Sequence, residues 1–261
     1  MRAVRLNGIS GLRHGRRRAR TFPGWWPLAL QALLVVLAAL CYFGVRGLTR
    51  SRAGPAEDHA RGILALERDL LIDRERWLQE TVIGHDTLVD AANAVYMYGH
   101  WPVIAITLAV LFARAPDRYW LLRNAMFASG AIGLVIFALY PVAPPRLGIL
   151  DIVDTVTQRT EVYRTLQPPG LINRYAAMPS LHFGWNLILG VVVWTSTRNL
   201  FLRVFAVAMP IAMGLAVVAT GNHYVVDVAG GAVVALTGLA VARALPAVIP
   251  VPRWARPPAS R

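Results

Sequence analysis

The sequence predicts an all-α integral membrane protein: a bundle of six transmembrane helices with an amphipathic surface helix before the second span. Three observations carry that expectation. Hydrophobic residues make up 56% of the 261, more than an ordinary soluble domain uses. They come in long blocks rather than in alternation. The charges sit between the blocks, with 27 basic residues, every one an arginine, against 14 acids. A net charge of +13 taken alone also fits a nucleic-acid binder. Here most arginines flank apolar runs, where they meet headgroups rather than form a readable stripe, so the expected partner is lipid and not nucleic acid. The single cysteine, Cys41, lies inside an apolar run, which excludes an intrachain disulfide and a thiolate metal cluster.

A spanning helix needs about 20 mostly apolar residues. Windows of that kind fall at 25–46, 92–114, 120–142, 181–197, 200–219 and 222–245, the fourth being the shortest. The first follows an arginine-rich segment, 1–24, in the manner of a signal peptide. Its apolar stretch is longer than a signal core and no small-x-small cleavage site follows, so it reads as an anchor helix. No repeat of solenoid period is present, and 25–245 reads as one membrane domain followed by a tail, 246–261.

Arginine placement orients the spans. With the seven arginines of the first 20 residues in the cytoplasm, Arg118, Arg123, Arg198, Arg203, Arg253, Arg256 and Arg261 also fall inside. This predicts a multi-pass protein of the cell membrane with both termini cytoplasmic. The outer face receives 47–91, 143–180 and the tight turn 220–222. In the first of these, Ile63, Leu66, Leu70, Trp77 and Leu78 recur near helical spacing among Arg61, Glu67, Asp69, Arg74, Arg76 and Glu80. That pattern fits a helix lying on the bilayer surface and equally a short helix packed on the spans. The second, rich in proline and mixed charge, has the profile of an ordered functional loop.

Two stretches carry chemistry. In "GNHYVVDVAGG", 221–231, His223 and Asp227 are four apart and share a helix face near the start of an apolar span. An ionisable residue there is a functional-site candidate by default, and an aspartate beside a histidine fixes its tautomer and stabilises its charged form. In "NRYAAMPSLHFGWNLILG", 173–190, Arg174, Ser180 and His182 precede another apolar run. The orientation puts Ser180, His182, His223 and Asp227 at one membrane face. A His-His-Asp set with arginines nearby fits phosphoryl transfer: one histidine attacks phosphorus, the aspartate orients it, and the other protonates the leaving oxygen. Ser180 can cap its helix while the first-turn N–H groups face a phosphate.

"MPSLH" followed by "HYVVD" resembles the second and third signature motifs of the type-2 phosphatidic acid phosphatase superfamily, P-S-G-H and S-R-x5-H-x3-D. "YPVAPPR" at 140–146, with Leu181 where that pattern has glycine, is more similar to the inositolphosphotransferase-like branch that includes fungal inositol phosphorylceramide synthases. The resemblance covers roughly 90–245. It implies a metal-independent enzyme without a cofactor, with His223 as the nucleophile that forms a phosphohistidine, Asp227 as its orienting partner, His182 as general acid and Ser180 in contact with phosphate. Two positions depart from the family. The first motif, K-x6-R-P, is broken, since Leu147 follows Arg146 and position 139 is leucine; and Val217 stands where the third motif has arginine. Phosphate binding then falls to Arg146 and Arg174.

His100, in "YMYGHWP", is also expected at the outer face, where it would line a headgroup pocket with Tyr96 and Tyr98; the tyrosines also fit an aromatic belt. Arg123 falls at the inner end of the third span, about 30 Å from that face. The acceptor stays open at this level. Water would make the protein a lipid phosphatase, and an alcohol would make it a phosphotransferase; the "YPVAPPR" resemblance implies the transferase, moving a phosphoinositol-type headgroup onto a lipid, with the phosphatase as the alternative. A serine on the fourth span and a histidine on the sixth also describe rhomboid-type proteases, but Ser180 lacks the G-x-S-G setting. A proton-relay transporter would place its polar groups near mid-bilayer rather than at one face.

Overall fold

A computed structural model describes residues 26–49, 51–159 and 173–245, and every regular element among them is a helix. The arginine-rich segment 1–24, the tail 246–261 and residues 160–172 of the outer loop lie outside the described residues. In chain order the helices are α1 (Trp26–Thr49), α2 (Ala53–Asp69), α3 (Glu75–Ile83), α4 (Asp86–Tyr98), α5 (Trp101–Arg114) and α6 (Pro116–Leu139). They continue as a 3₁₀ turn (Pro145–Leu147), α7 (Thr155–Arg159), α8 (Leu181–Ser196), α9 (Leu200–Ala219) and α10 (Val225–Ala244).

By length and composition α6, α9 and α10 are able to cross a membrane, and α4 with α5 makes a fourth candidate as one span broken by a 44° bend. That is fewer than the six windows read from the sequence. The shortfall lies in α8, whose 16 residues extend only about 24 Å against a hydrocarbon core of about 30 Å, and in α1, whose apolar part is Ala29–Val45. The second window is not one continuous helix. Pro102, in the first turn of α5, has no N–H to continue the α4 ladder, and the Gly99 N–H closes α4 on the Val95 carbonyl. His100 sits in the break.

The bundle is built on α10, which packs against α6 and α8, with α9 against α8. Its core includes Ile104, Leu122, Met126, Ile188, Leu189 and Leu239. The outward faces are apolar too: on α9, Leu200 and Phe201 are 71% and 84% exposed. Apolar inside and apolar outside is the signature of a chain solvated by lipid. At one point α8 and α10 touch backbone to backbone, because a Cβ at Gly231 would overlap the Ser180 carbonyl and one at Gly184 would press on the Gly231 carbonyl.

The expected amphipathic segment is two helices, α2 and α3, and its faces are arranged differently from the sequence reading. Ala56, Ala60, Ile63 and Leu64 pack beneath it against Val142, Ala143, Ala177 and Tyr224. Leu66, Leu70 and Trp77 lie outside, while Glu67 and Glu75 are completely or almost completely buried. Burial at Glu67 follows the stripe 56, 60, 63, 64, 67, which is one helix face.

Candidate active site

Four segments meet at the ends of α8 and α10. The "YPVAPPR" loop pairs with the approach to α8: Val142 N–H donates to the Tyr175 carbonyl at 2.9 Å, and Ala177 N–H donates back to the Val142 carbonyl at 3.3 Å. A cis Met178–Pro179 bond follows. Ser180 then caps α8, its Oγ accepting from Phe183 N–H at 3.5 Å. The N–H groups of Leu181 and His182 belong to that same first turn, whose donors have no intrahelical partner.

The turn from α9 into α10 is held from below. The Val217 carbonyl accepts from both Asn222 N–H and His223 N–H, and Gly221 has φ +72° with Ile152 and Arg146 against it, a conformation and a space that suit glycine. Val217 is fully buried, so the position where the family motif has arginine serves here as an apolar floor and a carbonyl acceptor.

His223 is 5% exposed and Asp227 is fully buried. His223 Nδ1 lies 2.7 Å from the Ala177 carbonyl and 3.4 Å from Asp227 Oδ2. A carbonyl only accepts, so Nδ1 carries the hydrogen and Nε2 keeps its lone pair. Asp227 Oδ2 also accepts from Tyr224 N–H at 2.8 Å, and the Tyr224 hydroxyl donates to the Ala143 carbonyl at 3.0 Å. The pair is therefore anchored to the "YPVAPPR" loop as well as to its own helix.

The His182 ring centroid is 6.0 Å from that of His223. His182 stacks on Tyr96 at 4.7 Å and lies 4.3 Å from the His100 ring, which in turn lies parallel to Trp185 at 5.7 Å. His100 is buried, and its Nδ1 has no hydrogen-bond partner among the described residues. His100, expected to line a headgroup pocket, thus packs its ring on His182. Tyr96 makes the companion contact; Tyr98 is 53% exposed.

The two arginines differ. Arg146 donates from Nε to Asp154 Oδ2 at 3.1 Å with its side chain 13% exposed, and its backbone N–H is tied to the Gly221 carbonyl. Arg174 is exposed in the turn before Tyr175. Arg123 is placed elsewhere, against Gln31 and Asn124 with its guanidinium over Trp120.

Sequence reading passed over two acids that touch this site. Glu75 Oε1 accepts from Val225 N–H at 2.8 Å, and Glu67 Oε1 accepts from Val226 N–H at 2.7 Å. The signal available was the placement of Glu67 on the Ala56–Ala60–Ile63 stripe; Glu75 had none, because it lies on a separate helix. Asp154, which holds Arg146, had no local signal either.

Residues 61–241 match a family described as the PAP2 superfamily. No curated protein matches the chain. Among solved structures, the crystal structure of Aquifex aeolicus LpxE is similar in fold, with a TM-score of 0.50 and 12% sequence identity over 66% of this chain and 93% of that one. The family match runs from within α2 to within α10 and includes both histidine segments of the site, and on that extent the chain belongs to the PAP2 superfamily and is a membrane enzyme of lipid-phosphatase type.

Proposed function

We propose that the protein removes the phosphoryl group of a lipid phosphate at the extracytoplasmic face through a covalent phosphohistidine on His223, without a metal or cofactor. The observation that supports this best is the placement of the Nδ1 hydrogen between the Ala177 carbonyl and the Asp227 carboxylate, which leaves Nε2 as the nucleophilic nitrogen. In the first step Nε2 attacks phosphorus, the bond from phosphorus to the lipid oxygen breaks, and His182 gives its proton to that oxygen. Asp227 stabilises the positive charge that develops on the His223 ring. In the second step His182 takes a proton from water as the water oxygen attacks phosphorus, and His223 leaves as neutral imidazole.

Phosphate oxygens would be held by the first-turn N–H groups of α8, capped by Ser180, and by Arg146. Asp154 orients the Arg146 fork, and Arg174 supplies a second cation from the outer loop. His100 packs the general acid into place. The outer location follows from the arginine distribution, and the lipid tails would run down the apolar faces of six spans in which α8 and α1 complete the set.

A second reading has one observation in its favour. The "YPVAPPR" loop forms a wall of the site through Val142 and Ala143, and its similarity to the inositolphosphotransferase-like branch supports an alcohol acceptor in place of water. One experiment addresses both readings. Purified protein is incubated with labelled phosphatidate and prenyl phosphates, with and without inositol and diacylglycerol. Released inorganic phosphate is the expected product; a new phosphodiester would favour transfer, and near-normal turnover by His223→Ala would overturn the mechanism.

A further inference from the structure

The start of α10 is ringed by three carboxyl groups on three consecutive N–H donors. Asp227 takes that of Tyr224, Glu75 that of Val225, and Glu67 that of Val226. The first-turn donors of a helix have no intrahelical acceptor, and its dipole favours negative charge there. Yet the ring is more acidic than capping requires. Glu67 and Glu75 are 0% and 1% exposed, they come from different helices, and neither has an ion-pair partner among the described residues.

With Oε1 of Glu67 engaged by Val226, its Oε2 is buried without a donor among the described residues, and its neighbour is Glu75, whose own Oε1 accepts from the adjacent Val225 N–H. Two carboxylates cannot bond each other; a carboxyl and a carboxylate can. Burial first, and the neighbouring Glu75 and Asp227 after it, push the Glu67 carboxyl up from 4.5 to about 8. The charged and titratable groups facing Glu67 are Glu75 from α3, together with Asp227 and Tyr224 at the start of α10. Arg68, Asp73, Arg76 and Glu80 line an open cleft together with Glu75.

We propose that Glu67 and Glu75 share a single proton and act as positioning residues, clamping α2 and α3 onto the turn that carries His223 and Asp227. The proton sits on Glu67 Oε2 and is donated to Glu75, so the pair carries one negative charge. The pair sits at the start of α10 beside Asp227. Loss of the shared proton places a second negative charge there and opens the clamp. The inference rests on the reading of His223 and Asp227 as the reacting pair.

A glutamine cycle tests it. In E67Q the amide oxygen still accepts from Val226 and the NH₂ donates to Glu75; in E75Q the roles reverse and Glu67 is ionised. Both single variants remain fully bonded with one negative charge. The double variant E67Q/E75Q has two NH₂ groups facing each other. In full-length protein in detergent, each single variant is expected within about 3 °C of the parent melting temperature at neutral pH, and the double about 10 °C or more below it. The parent melting temperature falls as pH rises from about 4.5 to about 8, levelling off above that, and that fall is absent in both single variants. With a lipid phosphate as substrate, the double variant loses kcat about tenfold or more with KM within about threefold, since the phosphate donors are untouched.

An additive double variant, or single variants that keep the parent's pH dependence, would overturn the shared proton. A non-additive cycle with kcat and KM lost in equal measure would overturn the positioning role. A parent inactive on every lipid phosphate but showing the thermal coupling would overturn the catalytic reading while supporting the shared proton, so the two failures are distinguishable.

Discussion

The Ser180 N–H donates to the Asp227 carbonyl at 2.9 Å, so the two histidine-bearing turns, almost fifty residues apart in the chain, are joined main chain to main chain. The bond forms because glycine at 184 and 231 lets α8 and α10 approach to backbone contact. The distance between His182 and His223 is thereby set by the rigid parts of two helices rather than by loops.

That contact is sensitive to a single methyl group. A Cβ at position 231 overlaps the Ser180 carbonyl, which is main chain and has nowhere to move. Gly231→Ala is expected to cost about 1–3 kcal/mol through overpacking and to lower turnover by shifting His182 from His223. Melting temperature and kcat measured together check this; unchanged values in both would count against the close packing.

Asp227→Asn separates charge from geometry. The amide oxygen still accepts from Tyr224, so the helix start keeps its bond. Without the negative charge His223 loses its stabilising partner in the transition state, and kcat is expected to fall about 10²- to 10⁴-fold with the melting temperature little changed.

His182→Asn tests the general acid. Its loss matters most when the leaving oxygen is a poor leaving group. The expected fall is about 10²- to 10⁴-fold on an alkyl phosphate and much smaller on an aryl phosphate such as p-nitrophenyl phosphate. Equal losses on both substrates would remove His182 from the proton-transfer step.

Asp154→Ala leaves Arg146 without its carboxylate. If the guanidinium binds phosphate, it then swings between rotamers, and KM is expected to rise about threefold to tenfold with kcat changing less. Arg146→Ala should raise KM further; Arg174→Ala, at an exposed position, should have the smaller effect of the two.

Stability is expected to depend on pH through Glu67. Its folded-state value, raised from 4.5 to about 8 mainly by burial, means that the folded protein holds a proton that the unfolded chain has released. The stabilisation is complete below the unfolded value and is lost as pH rises through the folded one. Thermal unfolding in detergent across that range checks the sign, and a melting temperature that climbs with pH would contradict it.

The sequence by itself determined the membrane class and the helical periodicity, and it singled out His182, His223 and Asp227 as site candidates expected at the outer face. Each of these is written in local composition or in spacings shorter than two helical turns. Breaks and partners were less legible. The interruption at Gly99 and His100 was signalled by Pro102 but masked by an apolar run on both sides, and helices α8 and α1 gave windows that read longer than their apolar lengths. Only the tertiary structure decided what surrounds the proposed reacting groups: the Ala177 carbonyl on His223, Tyr96 and His100 on His182, Asp154 on Arg146, and Glu67 and Glu75 at the start of α10. These are contacts between segments dozens of residues apart, for which periodicity carries no information. Glu67 shows the limit most clearly, because an acid on an amphipathic helix is assigned to water until the fold supplies a buried N–H and a second carboxyl to receive it.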